Sequence, residues 1–236
     1  YQGLATASNR GAGESILGFG DAGAGTFTRT IFNLEELTTD HFSWLQFSDG
    51  GYYELVTMAF APDNEVMYAA YSRIYGEIAL CNEFIRTIQQ YRSYLSDGDQ
   101  AAADDGIRQA KILRSLAYFY AISDFGSAGY VDETTEAGTA PVQYSRADLY
   151  NKVVSTLEEV SAEYGDSYTA PAYGYVGKEA ADALLARFYV NAGVFTGTPA
   201  YDKCWNICQK IIAHHQGAGF DNSGLSDSYK ALFGAN

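Results

Sequence analysis

With 236 residues, 47% hydrophobic and 19% charged, the chain has the composition of a folded globular protein long enough to bury a sizeable core. Its net charge of −14 argues against nucleic acid as a partner, because neutralising phosphates needs clustered Lys and Arg. No run of about 18 apolar residues is present, so no segment reads as a membrane-spanning helix.

Residues 1 to about 30 are rich in Gly, Ala, Ser and Thr and read as mostly irregular, with a short helix near the start. Gly18-Phe19-Gly20-Asp21-Ala22-Gly23 matches GxGxxG, but a dinucleotide fingerprint needs a strand before it and a helix after it. The following Thr26-Phe27-Thr28-Arg29-Thr30 favours extended chain, so no cofactor is expected. Residues 31–66 read as loop with several aromatics, including one helical turn from Asn33 to Leu37. Phe42, Trp44 and Phe47 then precede an Asp49-Gly50-Gly51 turn and Tyr52-Tyr53. A long irregular stretch inside a compact domain is often functional.

Met67, Tyr71, Ile74, Ile78, Cys81, Ile85 and Ile88 step by four and three, a seam suited to antiparallel helix packing, with Asp63 or Asn64 as N-cap. Ser96-Asp97-Gly98-Asp99 is predicted to turn the chain. It lacks the regular oxygen ligands of a calcium loop. A second helix ends in Ala110 to Gly126, AKILRSLAYFYAISDFG, aromatic in its later half and stopped by Gly126. Residues 127–144 read as loop.

Ser145 and Asp148 have capping-box spacing for a helix carrying Leu149, Val153, Leu157 and Val160. A Tyr-rich loop (165–177) leads to a helix over 178–193 and a last clear helix over 201–215, whose expected core side is Trp205, Cys208, Ile211 and Ile212. A final turn is placed at Tyr229 to Phe233. With no strand alternation, the class is mainly α, with helix pairs stacked in a tetratricopeptide-like manner and long irregular loops.

Cys81, Cys204 and Cys208 show no CxxC spacing, so neither a disulfide framework nor a zinc site is indicated. Cys204 and Cys208 share a helix side near His214-His215. Small buried hydrophobes beside an exposed helix end are favoured over a metal cluster. The paired carboxylates Asp104-Asp105 and Glu158-Glu159 suggest glycosidase chemistry on paper, yet both fall on polar helix faces or ends, where solvated charge is the ordinary explanation. No Ser-His-Asp or Cys-His arrangement is recognisable.

The Ala110–Gly126 segment resembles the signature helix of the SusD/RagB family of cell-surface nutrient-binding lipoproteins of Bacteroidetes: a basic residue, Leu-Arg, a Tyr-Phe-Tyr cluster and Phe-Gly. Four more blocks resemble that family in order. They are Tyr71–Tyr75 through Cys81–Ile85, Ser145–Tyr150 with Leu157-Glu158-Glu159, Gly177–Ala181 with Leu184–Tyr189, and Tyr201–Lys203 through Ile211-Ile212 followed by Tyr229–Phe233. Together they span about residues 33–234. Ser127–Val131 lacks the Val-Pro the family usually places after Phe-Gly. The expectation is one SusD-like helical domain over 1–236, lacking the C-terminal half of the family and its N-terminal lipid-attachment Cys, and beginning at Tyr1 inside a longer or processed product.

The resemblance implies a binding protein and not an enzyme. It would sit at the outer membrane, held by a lipid anchor in the full-length protein, and pass oligosaccharides to a partner TonB-dependent transporter of the SusC type. In the family the region corresponding to 42–53 contributes to a sugar platform. That makes Trp44 the stacking face, Gln46 and Asp49 the hydroxyl partners and Tyr52 their neighbour; packing of Trp44 and Tyr52 onto the helices is the competing reading. A helical-repeat scaffold that binds peptide or protein is the alternative function.

Overall fold

The computed structural model describes residues 1–5, 26–46, 51–136, 138–169 and 171–215. The GxGxxG match, Phe47, Asp49 and the turn at 229–233 lie outside the described residues.

The described elements in chain order are α1 (Gln2–Ala5), α2 (Phe27–Glu36), α3 (Tyr52–Val56), α4 (Glu65–Tyr91), α5 (Asp97–Tyr120), β1 (Ala128–Tyr130), β2 (Val142–Tyr144), α6 (Arg146–Glu163), α7 (Lys178–Thr196) and α8 (Tyr201–His215). Local chemistry sets their ends. The Asn64 side chain accepts from the backbone N–H groups of Val66 and Met67 at 3.0 and 3.1 Å and starts α4. Ser145 Oγ accepts from the Asp148 N–H at 3.2 Å and donates to the Asp148 carboxylate at 2.7 Å, a capping box with Asp in the third position. Gly197, in the left-handed conformation at φ 80°, closes α7 through its N–H to Gly193 O.

Three antiparallel pairings build the frame. Arg92 meets Asp104 and Asn82 meets Arg114 across α4 and α5. Ser161 meets Asp182 and Glu158 meets Tyr189 across α6 and α7. Cys204 reaches Ala186 O across α7 and α8. One core runs through the bundle, with Ile74 and Ile78 of α4, Tyr118 and Phe119 of α5, Leu149 and Leu157 of α6 and Phe188 of α7 all buried. Each such side chain contributes about 1.5–3 kcal/mol of transfer free energy. Within the predicted α4 seam Ile74, Ile78, Cys81 and Ile85 are buried, whereas Tyr71 is exposed.

The aromatic end of α5 is frame. Tyr118 OH donates to Val131 O and accepts from Val131 N–H, both at 2.8 Å, and its ring stacks on Tyr130 at 5.1 Å. Arg114, 3% exposed, donates to Asn82 Oδ1 at 2.6 Å and to the Glu133 carboxylate. Arg86 binds the carbonyls of Asp132, Glu133 and Thr135 at 3.0–3.4 Å. These bonds fix the 131–136 segment against α4 and α5, so none of it needs regular structure to stay in place.

The structure corrects four expectations. Residues 27–36 form α2, because Phe27 and Ile31 bury against the core and Thr30 Oγ1 bonds back to Thr26 O and Phe27 O. Asp97 to Asp99 open α5, with Ser96 as cap, and the link from α4 is a tight turn at Arg92–Tyr94. Residues 128–144 contain a two-stranded antiparallel ribbon with Gly129 opposite Gln143. On α8, Trp205 is 66% exposed and Ile212 is also exposed. The helix faces the core with Cys204 and Ile207 instead.

Candidate functional site

Of the residues nominated as a sugar platform, Tyr52 belongs to a small second core with Leu37, Leu55 and Val66, and Trp44 packs against it. Gly51 precedes α3 at φ 80°, where side chains are disfavoured and where a Cβ would press on Val66 and Asn64. Its carbonyl accepts from Asn64 Nδ2 at 2.9 Å, and the same amide donates to Glu54 at 2.7 Å. The one side chain that caps α4 therefore also ties down α3.

The chain from Phe42 to Gln46 passes over this core. Trp44 is half-buried, and its ring lies 4.4 Å from that of Tyr52 at an interplanar angle of 24°. Tyr52, 6% exposed, is the backing for the indole. Gln46 is exposed two residues on, and Leu45 between them is 81% exposed. Of the four nominated residues, the structure brings Trp44 and Tyr52 together and leaves Gln46 open to solvent on the same strand of loop. Asp49 is outside the described residues. The same short elements expose Phe42, set edge-on to Phe32 at 5.3 Å, and Tyr53. Sequence reasoning passed over these rings; their signal is a density of aromatics unmatched by helical or strand periodicity.

An arrangement of one braced indole, open aromatic edges and nearby amide groups can bind a polyhydroxylated ring by contact and hydrogen bonding, without proton transfer. The acid pairs serve as frame. Asp104 bonds Arg92 at 2.7–2.8 Å, Asp105 bonds Arg108 and Gln109, and Glu158 accepts from Tyr189 OH at 2.6 Å and Lys203 at 2.9 Å. Among the described residues no group of three or more His, Cys, Asp or Glu could hold a metal ion. His215 contacts the Glu179 carboxylate of α7.

One carboxyl stands out electrostatically. Asp124 lies in a π-type turn (Ala121–Phe125) that prolongs α5. Burial, and then the charge of Glu35 on α2, pushes its pKa up to about 7. One of its oxygens is buried without a hydrogen-bond partner. Glu35 is itself raised by burial, opposed by Arg187.

No family model matches the sequence. Over 219 residues the chain is 28% identical to the starch-binding protein SusD of Bacteroides thetaiotaomicron, in an alignment covering 92% of this chain and 36% of that protein. Its fold is similar to that of a laminarin-binding SusD-like protein, with a TM-score of 0.68 and 19% identity over 87% of this chain and 43% of the other. It is likewise similar to a protein crystallised with xylogluco-oligosaccharide, with a TM-score of 0.65 and 18% identity over 89% and 40% of the two chains. The chain thus spans well under half the length of these relatives.

Proposed function

We propose that the chain, similar to SusD over most of its length, is a member of the SusD/RagB family and binds oligosaccharides without transforming them. Its ligand contacts come from the loop around Trp44, with the helices as rigid frame. In the full protein we place it at the cell surface, lipid-anchored to the outer membrane, delivering its cargo to a SusC-type TonB-dependent transporter.

The observation that carries this reading is the Trp44–Tyr52 stack. A half-exposed indole costs apolar hydration, and here a buried tyrosine is spent on holding it flat. The relatives are named for starch and laminarin binding, or were crystallised with a xyloglucan fragment, which supports a glycan ligand here. Neutral sugars require no tuned acid or base, in keeping with Asp104, Asp105 and Glu158 being held in salt bridges.

The test is calorimetry of the wild-type chain and Trp44→Ala with maltooligosaccharides, laminarin oligosaccharides and xyloglucan oligosaccharides. Affinity for the bound glycan should fall at least tenfold, about 1.4 kcal/mol. Unchanged affinity in a folded variant removes this site. Binding of peptides in place of all three glycans would favour the scaffold alternative.

A further inference from the structure

A cavity lies between the end of α6 and the loop after it, the start of α7 and the outer part of α8. It has a volume of ≈ 800 Å³, in the range of small-molecule sites. Its floor is the Asp182 carboxylate, 2% exposed. That carboxylate accepts from Ser161 Oγ and from Tyr168 OH at 2.7 Å, and Lys178 Nζ stands 3.7 Å away. Lys178 also donates to Ser161 O and Oγ, both at 2.9 Å. The network neutralises Asp182 and fixes Tyr168 and Lys178 in place.

Lys210 and His214 of α8 and Asp166 and Ser167 of the loop line the cavity as well, and Lys210 and His214 are exposed. Tyr168 and His214 rings meet at 5.1 Å and 52°, closing one wall across the loop and α8. Lys210 has no carboxylate partner among the described residues, whereas Lys178, the other lysine of the cleft, is engaged with Asp182 and Ser161. An ammonium group left unpaired beside a hydrogen-bonding lining suits a ligand that brings its own anion together with hydroxyls.

We propose that this cleft binds a carboxylated sugar, a hexuronate unit, with Lys210 on the carboxylate, Asp166 and Ser167 on hydroxyls and the Tyr168–His214 wall against the ring. The assignment rests on the glycan-binding reading for the class of ligand, but not on the Trp44 platform for the site.

The experiment titrates the full 236-residue chain with digalacturonate, with maltotriose, and with sodium acetate, following binding by NMR and calorimetry. Digalacturonate is expected to bind, to weaken as salt rises, to weaken at least tenfold in Lys210→Gln, and to be unaffected by Trp44→Ala. Asp166→Asn should weaken it by a smaller factor. Lys210 is exposed, so its variant should keep the wild-type circular dichroism and melting. The proposal is overturned if maltotriose competes equally for the cleft, if acetate binds as tightly as digalacturonate, or if Lys210→Gln leaves the affinity unchanged. Loss of digalacturonate binding in Trp44→Ala, with Lys210→Gln normal, would transfer the ligand to the platform and also overturn it. Failure of wild type to bind digalacturonate overturns the cleft alone, because the platform is judged by the neutral glycans.

Discussion

Replacing Asp124 by Asn should make the protein more stable at pH 8 and leave it unchanged near pH 3. The carboxyl moves from an ordinary 3.8 to about 7 on folding, chiefly through burial and secondarily through Glu35. Because the folded state holds this proton more tightly than the unfolded one, stability is full below about pH 3.8 and is lost as pH rises to about 7. At about 1.4 kcal/mol per pH unit, the ceiling on that loss is about 4 kcal/mol. Asp124 is not sealed from solvent, and relaxation around the π-type turn lets water screen the charge. A realised gain of about 1–2 kcal/mol is therefore expected, or roughly 2–8 °C in Tm for a chain of this size. Asn keeps the shape and removes the charge that leaves one oxygen orphaned. Urea denaturation of both proteins at half-unit steps from pH 3 to pH 8 gives the difference as a function of pH. The reasoning predicts a curve that rises from zero and levels off above pH 7. A flat difference, or a less stable Asn variant at pH 8, would refute it. In Glu35→Gln the same comparison should give a smaller plateau, since one of the two causes is gone.

Arg114→Met should cost about 2–4 kcal/mol at pH 7, since it strands a half-buried Glu133 carboxylate and the buried Asn82. Burial raises Glu133, but the hydrogen bond and charge of Arg114 hold it below the usual range; the pair's contribution is therefore lost as pH falls through that lowered value, and the penalty measured at pH 3 should be smaller. Gly126→Ala should cost about 1–3 kcal/mol by thermal denaturation, because φ 76° with ψ −96° is strained for any side chain and a Cβ would stand 3.0 Å from Arg146 Nη2. Tyr52→Ala should weaken glycan binding about as much as Trp44→Ala, although its buried ring is the support and not the contact; binding retained in a folded Tyr52→Ala protein would show that the indole needs no backing.

Much of the frame was legible because it repeats. α4, α6 and α7 announce themselves by apolar spacing and by caps that a sequence displays directly, Asn64 and Ser145 among them. α2 was not legible. Its threonines argue for extended chain, and only burial of Phe27 and Ile31 beside α4 reverses that preference. The β1–β2 ribbon has three residues per strand, too few for alternation to register. It is held from outside, by Tyr75 OH on Gly129 O at 2.7 Å and by Lys152 over the rings of Tyr130 and Tyr144. On α8 two apolar stripes run side by side, Tyr201-Trp205-Cys208-Ile212 and Cys204-Ile207-Ile211. The aromatic Trp205 favours the first on sequence grounds, whereas the core packs against Cys204 and Ile207 of the second.

The candidate site follows a different logic. Trp44 and Tyr52 are eight residues apart with Gly50 and Gly51 between them in the sequence, so composition alone flags the region but not the stack. The stack depends on Asn64, twelve residues beyond Tyr52, whose amide holds Gly51 and Glu54 while its oxygen caps α4. A buried polar side chain with its bonds satisfied on two elements fixes their relative position more narrowly than apolar contact does, because each lost bond carries a desolvation penalty. The proposed platform is thereby oriented by α4, and it rests on its own small core, joined to the main one through Leu34. Trp44→Ala should therefore leave the main core, and with it the folded bundle, intact.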